Sequence, residues 1–338
     1  MSIRWGFVGS GRLIPRFMGG LQQVPEAVPA AIFSPHREHA QAMAEHYHIA
    51  QVFDDFEQFL AEAQIDIAHI ALPHHLHMEY AQRCLQAKIP TLCEKPLCAN
   101  AKMARELIQC ARENDTFLAE GFWSRYFPIS RQLKQWLQEG RIGKVVGLNI
   151  AMSMKVPFAA DDRLFDVNQA GGAMADMGIY PLAFADSVFG RPPQQVTALS
   201  SVTGGIDDNI GVVMKYDQGE IAVFYVSFHS NGKDRATIYG TEGMIEIFEN
   251  YWRPRSMKMT CRDGIIDFNC PEVADDTVYG TSEVSFHGEG FQFEIRALHD
   301  YLRQGLKESP EIPLEKSLEI ISVCDEIRRQ IGVVFPFD

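Results

Sequence analysis

The chain has 338 residues, and because single hydrophobic cores stop growing beyond about 250–300 residues, two domains are expected. Asp and Glu number 44 against 31 Lys and Arg, and the resulting net charge of −13 argues against nucleic acid or an anionic membrane as partner. We find no secretion signal and no apolar run of about eighteen residues, so a cytoplasmic protein is expected. Seven cysteines without a C-x-x-C pair indicate neither a zinc site nor a disulfide framework.

The chain opens with an apolar strand pattern over residues 3–8, and a glycine-rich turn follows it directly. Two glycines permit a tight turn and a close approach of backbone N–H groups to a pyrophosphate at a helix N-terminus. The third position of the motif carries Ile14 instead of glycine. The residues predicted to hold a dinucleotide here are Gly9, Ser10, Gly11, Arg12 and Leu13.

Short apolar runs alternate with amphipathic helical stretches as far as residue 122. This alternation predicts parallel βαβ units and hence an N-terminal Rossmann domain, a doubly wound parallel sheet, over residues 1–122. The predicted strands are 3–8, 28–33, 67–72, 91–93 and 116–119. Their carboxyl ends should share one edge, where a nucleotide crosses the sheet.

The end of the second strand indicates which nicotinamide cofactor is bound. No carboxylate stands between Glu26 and Glu38 to take the ribose hydroxyls of NAD. Ser34, His36 and Arg37 instead offer a hydroxyl, an imidazole and a guanidinium, which suit a 2′-phosphate. We therefore favour NADP over NAD.

Beyond a helical segment at 127–139 the pattern changes to longer alternating strands. They predict a C-terminal α+β domain, residues 123–338, with a large, mostly antiparallel open sheet and overall an α/β protein. The predicted strands are 145–154, 195–202, 210–216, 220–228, 236–239 and 244–248, and the predicted helices are 171–189, 291–306 and 314–331. Along residues 221–228 the side chains expected on each of the two strand faces are largely apolar. We therefore expect helices on one face of the sheet and a second subunit on the other.

Two groups could carry acid–base chemistry. Lys95 follows Glu94 at a strand end, where its ammonium could stabilise an oxyanion, or simply pair with Glu94. Asp176 and Tyr180 lie four residues apart in a predicted helix and could reach one substrate, or could serve as a cap and a buried tyrosine. A tyrosine hydroxyl has an ordinary pKa near ~10, which a nearby lysine would lower toward the working range.

Three histidines, His74, His75 and His77, follow the strand that ends at Leu72 and Pro73. They invite a metal interpretation, but no nearby cysteine completes a tetrahedral site. We expect no metal, and expect backbone contacts to a nucleotide instead.

Five segments make the chain similar to the Gfo/Idh/MocA oxidoreductases, named for glucose-fructose oxidoreductase and inositol dehydrogenase, over essentially its whole length. The Glu94-Lys95-Pro96 triplet is the family signature. The segments are Cys93-Glu94-Lys95-Pro96, Trp123-Ser124-Arg125-Tyr126-Phe127-Pro128, Gln169-Ala170-Gly171-Gly172-Ala173, Asp176-Met177-Gly178-Ile179-Tyr180 and Ser309-Pro310-Glu311-Ile312-Pro313-Leu314. Many relatives carry histidine four residues after the aspartate, whereas a branch that acts on diols and sugars carries tyrosine, as here.

The resemblance implies roles for particular residues. Lys95, Asp176 and Tyr180 would form the catalytic group. The further residues expected at the cofactor are Leu72, Pro73, His74, His77, Glu94, Trp123 and Arg125, and those expected in the substrate pocket are Trp123, Phe158, Arg163, Phe165 and Tyr180. Each pocket residue could equally pack at a domain interface.

These observations predict reversible hydride transfer between nicotinamide and a carbinol carbon of a sugar, polyol or cyclic diol, in a homodimer formed through the C-terminal sheet. Two other functions are compatible with the fold: a glycosidase that uses bound NAD without net redox change, and a cofactor-binding sensor without turnover. Intact Lys95, Asp176 and Tyr180 argue against a sensor.

Overall fold

The structure, a computed structural model, describes residues 2–159, 161–270 and 289–338. They form two compact units, and each is built from several stretches of the chain. The first holds the described residues of Met1–Cys98, Lys102–Tyr126 and Glu272–Ser317, and the second those of Ala99–Ala101, Phe127–Pro271 and Leu318–Asp338. The division into domains after residue 122 stays a prediction.

The first unit contains a six-stranded parallel sheet with the order β3-β2-β1-β4-β5-β6. Its strands are β1 (Ile3–Val8), β2 (Ala27–Phe33), β3 (Gln51–Phe53), β4 (Ile67–Ile70), β5 (Thr91–Glu94) and β6 (Leu118–Gly121). All residues of β4, β5 and β6 are buried, as expected when both faces of a parallel sheet are covered. The Rossmann prediction is confirmed, and only β3, three residues long, was not predicted.

Helices of the first unit follow the strands in the alternation that the sequence predicts. They are α1 (Leu13–Leu21), α2 (Arg37–Tyr47), α3 (Phe56–Glu62), α4 (His77–Gln86), α5 (Ala101–Glu113) and α8 (Phe291–Arg303). Helix α8 comes from a distant part of the chain and packs against α1. An added Cβ at Gly20 of α1 would lie 2.5 Å from the Cβ of Phe291. The backbone of α1 at Gly20 therefore packs directly against the Phe291 side chain of α8.

The second unit contains an eight-stranded sheet with the order β14-β13-β12-β11-β7-β10-β9-β8. The strands are β7 (Val145–Ser153), β8 (Gln195–Thr203), β9 (Ile206–Lys215), β10 (Ile221–Ser227), β11 (Ala236–Gly240), β12 (Met244–Ile247), β13 (Ser256–Cys261) and β14 (Gly264–Asn269). Only β7 and β10 pair in parallel, so the mostly antiparallel sheet is confirmed. Strands β13 and β14 were not predicted.

Helices α6 (Pro128–Gln138) and α7 (Ile179–Phe189) pack against each other, and α7 also contacts β7. The last helix, α9, spans Leu314–Ile331, as predicted. The sequence also predicts an irregular stretch at about 269–289, and most of it lies outside the described residues. No helix in the described part of the chain is both long and apolar enough to cross a membrane.

Strand β10 shows how the two faces of the second sheet differ. Ala222, Phe224 and Val226 are buried, each at 1% exposure or less. The alternate residues Ile221, Val223 and Tyr225 are 39–42% exposed. The sequence predicted that both faces of the sheet are covered. In the single chain, the face that carries Ile221, Val223 and Tyr225 stays open to solvent.

Buried polar contacts connect the first strand to helix α8. The indole Nε1 of Trp5 donates a hydrogen bond to Nε2 of His299 at 3.0 Å, and both side chains are fully buried. Burial and the nearby Arg303 lower the pKa of His299 to about 4. The ring is therefore neutral in the folded protein and accepts the indole proton.

This contact predicts a loss of stability in mild acid. His299 has a lower pKa in the folded chain than its ordinary value near ~6.5, so its stabilising contribution is present above that value and is lost as the pH falls toward about 4. The free energy of unfolding should fall by about 2 kcal/mol between pH 7 and pH 5 through this residue. Urea denaturation should show a smaller fall in His299→Gln, and the exposed control His39→Gln should match wild type; equal falls in all three would contradict the assignment.

Candidate functional site

The glycine turn lies between β1 and α1. Gly9 has φ +112°, its N–H donates to the Phe33 carbonyl at 2.9 Å, and a Cβ there would lie 2.5 Å from the Ala71 carbonyl oxygen. Gly11 is different, because a Cβ at this position would meet no atom within 4 Å. The turn thus leaves open space beside backbone N–H groups at the start of α1, a cradle that fits a diphosphate. Arg12 is exposed next to it and Leu13 is half-buried.

Ser34 joins the end of β2 to this turn. Its hydroxyl lies 3.0 Å from the Ser10 hydroxyl and accepts the His36 N–H at 3.2 Å. His36 and Arg37 are exposed beyond it, so they are available to a nucleotide. Arg37 also pairs with Asp54, which follows β3, at 3.0 Å between Nη1 and Oδ1. Both partners are about half exposed, and such a surface ion pair contributes roughly 0–1 kcal/mol, so a phosphate can compete for the guanidinium.

His77 connects the ends of β4 and β5. Its Nδ1 lies 2.8 Å from the Pro96 carbonyl oxygen and its Nε2 2.8 Å from the Leu72 carbonyl oxygen. Because its ring is fully buried, these contacts fix the segment after β4 against the segment that carries Lys95. The neighbouring His74 is also buried, with its ring edge-on to His77. Among the described residues no cluster of three potential metal ligands occurs.

Glu94 and Lys95 stand where β5 ends. Glu94 is buried, and its Oε1 lies 3.0 Å from Nε2 of His69 in β4. The next turn is held by Glu120 of β6, whose carboxylate accepts the Leu97 N–H at 2.7 Å. Burial raises the pKa of Glu120 to about 7. Lys95 is half-buried between these anchored positions, so a rigid polar frame surrounds its backbone.

Trp123 and Arg125 follow β6 in a short 3-10 helix. The Trp123 ring stacks on Phe291 with centroids 5.1 Å apart, and its Nε1 donates to the Glu289 carbonyl at 3.2 Å. Arg16 of α1 also binds Glu289, through its carboxylate. Within the first unit Trp123 thus packs on Phe291 and binds the Glu289 backbone, and its expected place at the cofactor and in the substrate pocket stays a prediction.

In the second unit, Asp176 lies in a π-helical turn, Met174–Gly178, that runs directly into α7. The sequence predicted an ordinary helix here; the wider turn keeps Asp176 and Tyr180 in adjacent turns. Arg163 Nη2 donates to Asp176 Oδ1 at 3.0 Å. Tyr180 is 8% exposed, and its ring centroid lies 6.2 Å from that of Trp252.

Aromatic side chains extend from the predicted pocket segment to the sheet. The ring of Phe158 is 5.0 Å from that of Phe165, which is 5.8 Å from that of Phe228. Phe158 is 72% exposed and so has free surface for a ligand. Of the predicted pocket residues, Phe158, Arg163, Phe165 and Tyr180 all belong to the second unit, and Trp123 belongs to the first. Their roles stay predictions.

Sequence reasoning missed three residues that shape these regions: Asp54, Glu289 and Asp207. Each acts on a residue far away in the chain, so no local motif marks it. The only signal available was the carboxylate pair Asp207-Asp208 shortly before the predicted strand 210–216.

The glycine turn and the parallel sheet behind it define a dinucleotide-binding protein. Residues 3–122 match the NAD-binding Rossmann-fold domain of the oxidoreductase family GFO/IDH/MocA, and residues 130–246 match the C-terminal domain of that family. The chain belongs to the GFO/IDH/MocA family. It is an NAD(P)-dependent dehydrogenase or reductase, as the sequence motifs predicted.

Relatives of known activity match from end to end. Trans-1,2-dihydrobenzene-1,2-diol dehydrogenase of Mus musculus is 32% identical over 346 residues, covering 100% of this chain and 99% of the relative. The Homo sapiens protein of the same name is 31% identical over 352 residues, with the same two shares. The predicted similarity to the branch that carries tyrosine, the dihydrodiol dehydrogenases, is thereby confirmed.

Solved structures share the fold. Levoglucosan dehydrogenase in complex with NADH and levoglucosan is 18% identical, with a TM-score of 0.85 and 98% of each chain covered. A 3-ketoreductase from Actinomadura kijaniata in complex with NADP and TDP-benzene is 22% identical, with a TM-score of 0.82 and again 98% of each chain covered.

The two glycines of the turn should respond differently to a methyl group. Gly9→Ala meets a positive φ and the Ala71 carbonyl, so the cofactor-free protein should lose roughly 1–3 kcal/mol of unfolding free energy. Gly11→Ala meets nothing in the chain and should leave that free energy within about 0.5 kcal/mol, yet weaken dinucleotide binding at least about tenfold, because the methyl takes space that the phosphates need.

Denaturation without cofactor and fluorescence titration with NADPH measure the two effects. A Gly9→Ala protein as stable as wild type, or a Gly11→Ala protein with unchanged affinity for both NADPH and NADH, would contradict this account of the turn.

Proposed function

We propose that the protein transfers hydride reversibly between a nicotinamide cofactor and a carbinol carbon of a sugar, polyol or cyclic diol. The observation that carries the proposal is Tyr180, placed four residues after Asp176 on one helix start, in a chain about 30% identical along its whole length to dihydrobenzene-diol dehydrogenases. The carbinol class follows from those relatives and from the levoglucosan dehydrogenase of the same fold. When bound, the nicotinamide ring accepts or supplies the hydride.

Lys95, Asp176 and Tyr180 are the proposed catalytic group. In oxidation, the substrate hydroxyl gives its proton to the Tyr180 phenolate while the carbinol carbon loses hydride and its C–O bond becomes C=O. The Lys95 ammonium stabilises the phenolate, or the alkoxide on the substrate, by its positive charge. Asp176 orients both groups, and reduction runs the same exchange backwards with Tyr180 as proton donor.

Arg163 supports the role proposed for Asp176. Its guanidinium binds one carboxylate oxygen of Asp176 at 3.0 Å, and Asp176 is only partly exposed. A carboxylate held on one side by a charge-assisted hydrogen bond presents its other oxygen in a fixed direction. Arg163 and the exposed ring of Phe158 are proposed to face the substrate.

For the cofactor we propose NADP in preference to NAD. Ser34, His36 and Arg37 offer one buried hydroxyl and two exposed nitrogen donors at the end of β2. Among the described residues, the guanidinium of Arg37 pairs with the carboxylate of Asp54, which follows β3 and not β2. The other proposed cofactor contacts are those of the glycine turn, of Leu72, Pro73, His74, His77 and Glu94, and of Trp123 and Arg125.

The test is absorbance at the reduced-nicotinamide band with NADP or NAD and a panel of aldoses, inositols and cyclic diols, and with NADPH and dicarbonyls. Tyr180→Phe should reduce turnover by roughly 10²- to 10⁴-fold, the usual range for general acid–base assistance, with NADPH affinity nearly unchanged. Trp252→Phe, which changes the ring neighbour of Tyr180 and removes the hydrogen bond from Trp252 Nε1 to Asp234 but keeps the Tyr180 hydroxyl, is the control and should stay within about threefold of wild type.

Two outcomes would overturn parts of this proposal. Full activity in Tyr180→Phe would remove the tyrosine from the mechanism. No net change in absorbance across the panel, with cofactor binding intact, would favour a redox-neutral glycosidase if glycosides are hydrolysed, and a sensor if they are not.

We further propose that two copies associate through the open face of the second sheet. Directly paired residues of a sheet point to the same face, and Val223 pairs with Val213 while Tyr225 pairs with Gly211, which pairs with Leu199. Leu199 is 80% exposed and Val213 45%. Exposed apolar side chains gathered on one sheet face are typical of a subunit interface.

Light scattering should give twice the chain mass for wild type. Leu199→Lys should shift it toward the monomer, because a charged side chain would be buried unpaired at the interface. Val334→Lys is the matched control, since Val334 is 68% exposed but lies outside the sheet. A wild-type monomer at working concentration, or an unchanged dimer in Leu199→Lys, would contradict this interface.

No disulfide bond joins any of the seven cysteines, which all lie in the described residues, and none is exposed by more than an intermediate amount. Reduced cysteines suit a reducing compartment, and on this basis we propose a cytoplasmic location.

A further inference from the structure

The start of the helix that carries Asp176 and Tyr180 lacks a capping side chain of its own. The residue at its N-cap position is Ala173, which offers no hydrogen-bond acceptor, and the backbone before it is a tight double-glycine turn. Helix starts leave up to four N–H groups without partners within the helix, and in a buried place each needs another acceptor.

A carboxylate from β9 supplies that acceptor. Oδ2 of Asp207 accepts the Met174 N–H at 2.6 Å, across 33 positions of the sequence. Its other oxygen, Oδ1, would lie 2.5 Å from a Cβ at Gly172, whose φ is +116°. Asp207 is 1% exposed, so this contact is sheltered from water. Room for the Asp207 carboxylate therefore depends on glycine at position 172, and the carboxylate accepts the Met174 N–H at the start of the helix.

An irregularity in the sheet directs Asp207 to this place. In the pairing of β8 with β9, Ser201 opposes Asn209 and Val202 opposes Asp207, so Asp208 is left as an extra residue. Such bulges re-aim neighbouring side chains. The side chain of Asp208 binds elsewhere, to the hydroxyl of Ser201 and to Nε2 of His229. The two adjacent carboxylates thus have different partners.

The two glycines that precede the helix start are also held by hydrogen bonds. Gly172 donates its N–H to the Leu164 carbonyl at 2.9 Å, and Gly171 donates to the Asp166 carbonyl at 3.0 Å. The segment from 163 to 166 also carries Arg163, which binds Asp176. The helix start is therefore held from one side by the sheet and from the other by the segment that contacts the proposed catalytic aspartate.

We infer that Asp207 is a positioning residue: through the Met174 N–H and the space beside Gly172 it fixes the π-helical turn so that Asp176 and Tyr180 keep their working orientation. This inference rests on the proposed function for the roles of Asp176 and Tyr180, but the anchoring itself does not. In this role Asp207 acts through the backbone of the turn.

The anchoring is tested by hydrogen exchange on the whole protein without cofactor. Removing a capping acceptor shifts a helix equilibrium by roughly 5- to 30-fold, so the amides of residues 174–178 should exchange faster by about that factor in Asp207→Ala. Asp207→Asn keeps an oxygen that can accept the Met174 N–H and should restore most of the protection. The matched control Asp208→Asn changes the neighbouring carboxylate and should leave these amides protected.

The functional consequence is tested by kinetics on the same variants. Asp207→Ala should lower kcat by about tenfold or more while KM for NADPH stays within about twofold, because the cofactor residues lie in the other unit. Asp207→Asn should recover kcat in part, and Asp208→Asn should keep it. A purely structural role would lower the denaturation midpoint without this split between kcat and KM.

Unchanged exchange of residues 174–178 in both Asp207 variants would overturn the anchor, as would equal kcat losses in Asp207→Asn and Asp208→Asn. If Asp207→Ala does not fold, the anchor is tested by the comparison of Asp207→Asn with Asp208→Asn. Faster exchange together with a fully active Tyr180→Phe would leave the anchor intact and reject the role of the tyrosine instead.

Discussion

Parallel pairing of β1 with β2 on one side and β4 on the other is the constraint on which the first unit depends. It aligns the carboxyl ends of these strands, so the glycine turn, Ser34 and the segment after Leu72 share one edge. Hydrogen bonds then fix that edge: Ser10 meets Ser34, and His77 binds the carbonyls of Leu72 and Pro96. The candidate cofactor site is thus assembled by backbone alignment and rigidified by side chains that are themselves buried.

Local patterns account for what could be predicted. Strand and helix periodicity located five strands of the first sheet and six of the second, and the glycine turn indicated the dinucleotide. Strands β13 and β14 were missed although both show the alternation, Met257-Lys258-Met259 in the first and Ile266-Asp267-Phe268 in the second. The π-helical turn, the pair of Arg37 with Asp54 and the cap from Asp207 depend on residues brought together only by the tertiary fold. Roles of Lys95, Asp176 and Tyr180 came from family resemblance, since spacing alone also fits packing.

Buried ionisable groups are concentrated near β5. Glu94 pairs with His69, and Glu120 holds the Leu97 N–H. Glu294 of α8 is fully buried, and burial raises the pKa of its carboxyl well above the ordinary value. A raised carboxyl pKa favours the neutral form, which avoids the large cost of burying an unpaired charge. Burial near β5 therefore works against negative charge on Glu120 and Glu294.

Helix α8 reaches the first unit from late in the chain, and this has a consequence for synthesis on the ribosome. Trp5 and Gly20 have His299 and Phe291 as partners, and these are translated 294 and 271 residues later, respectively. A nascent chain that has emerged only to residue 126 holds every strand of the first sheet but still exposes the surface of α1 that α8 covers. Vectorial synthesis therefore cannot complete the first unit early, and the second sheet emerges before the first unit is closed.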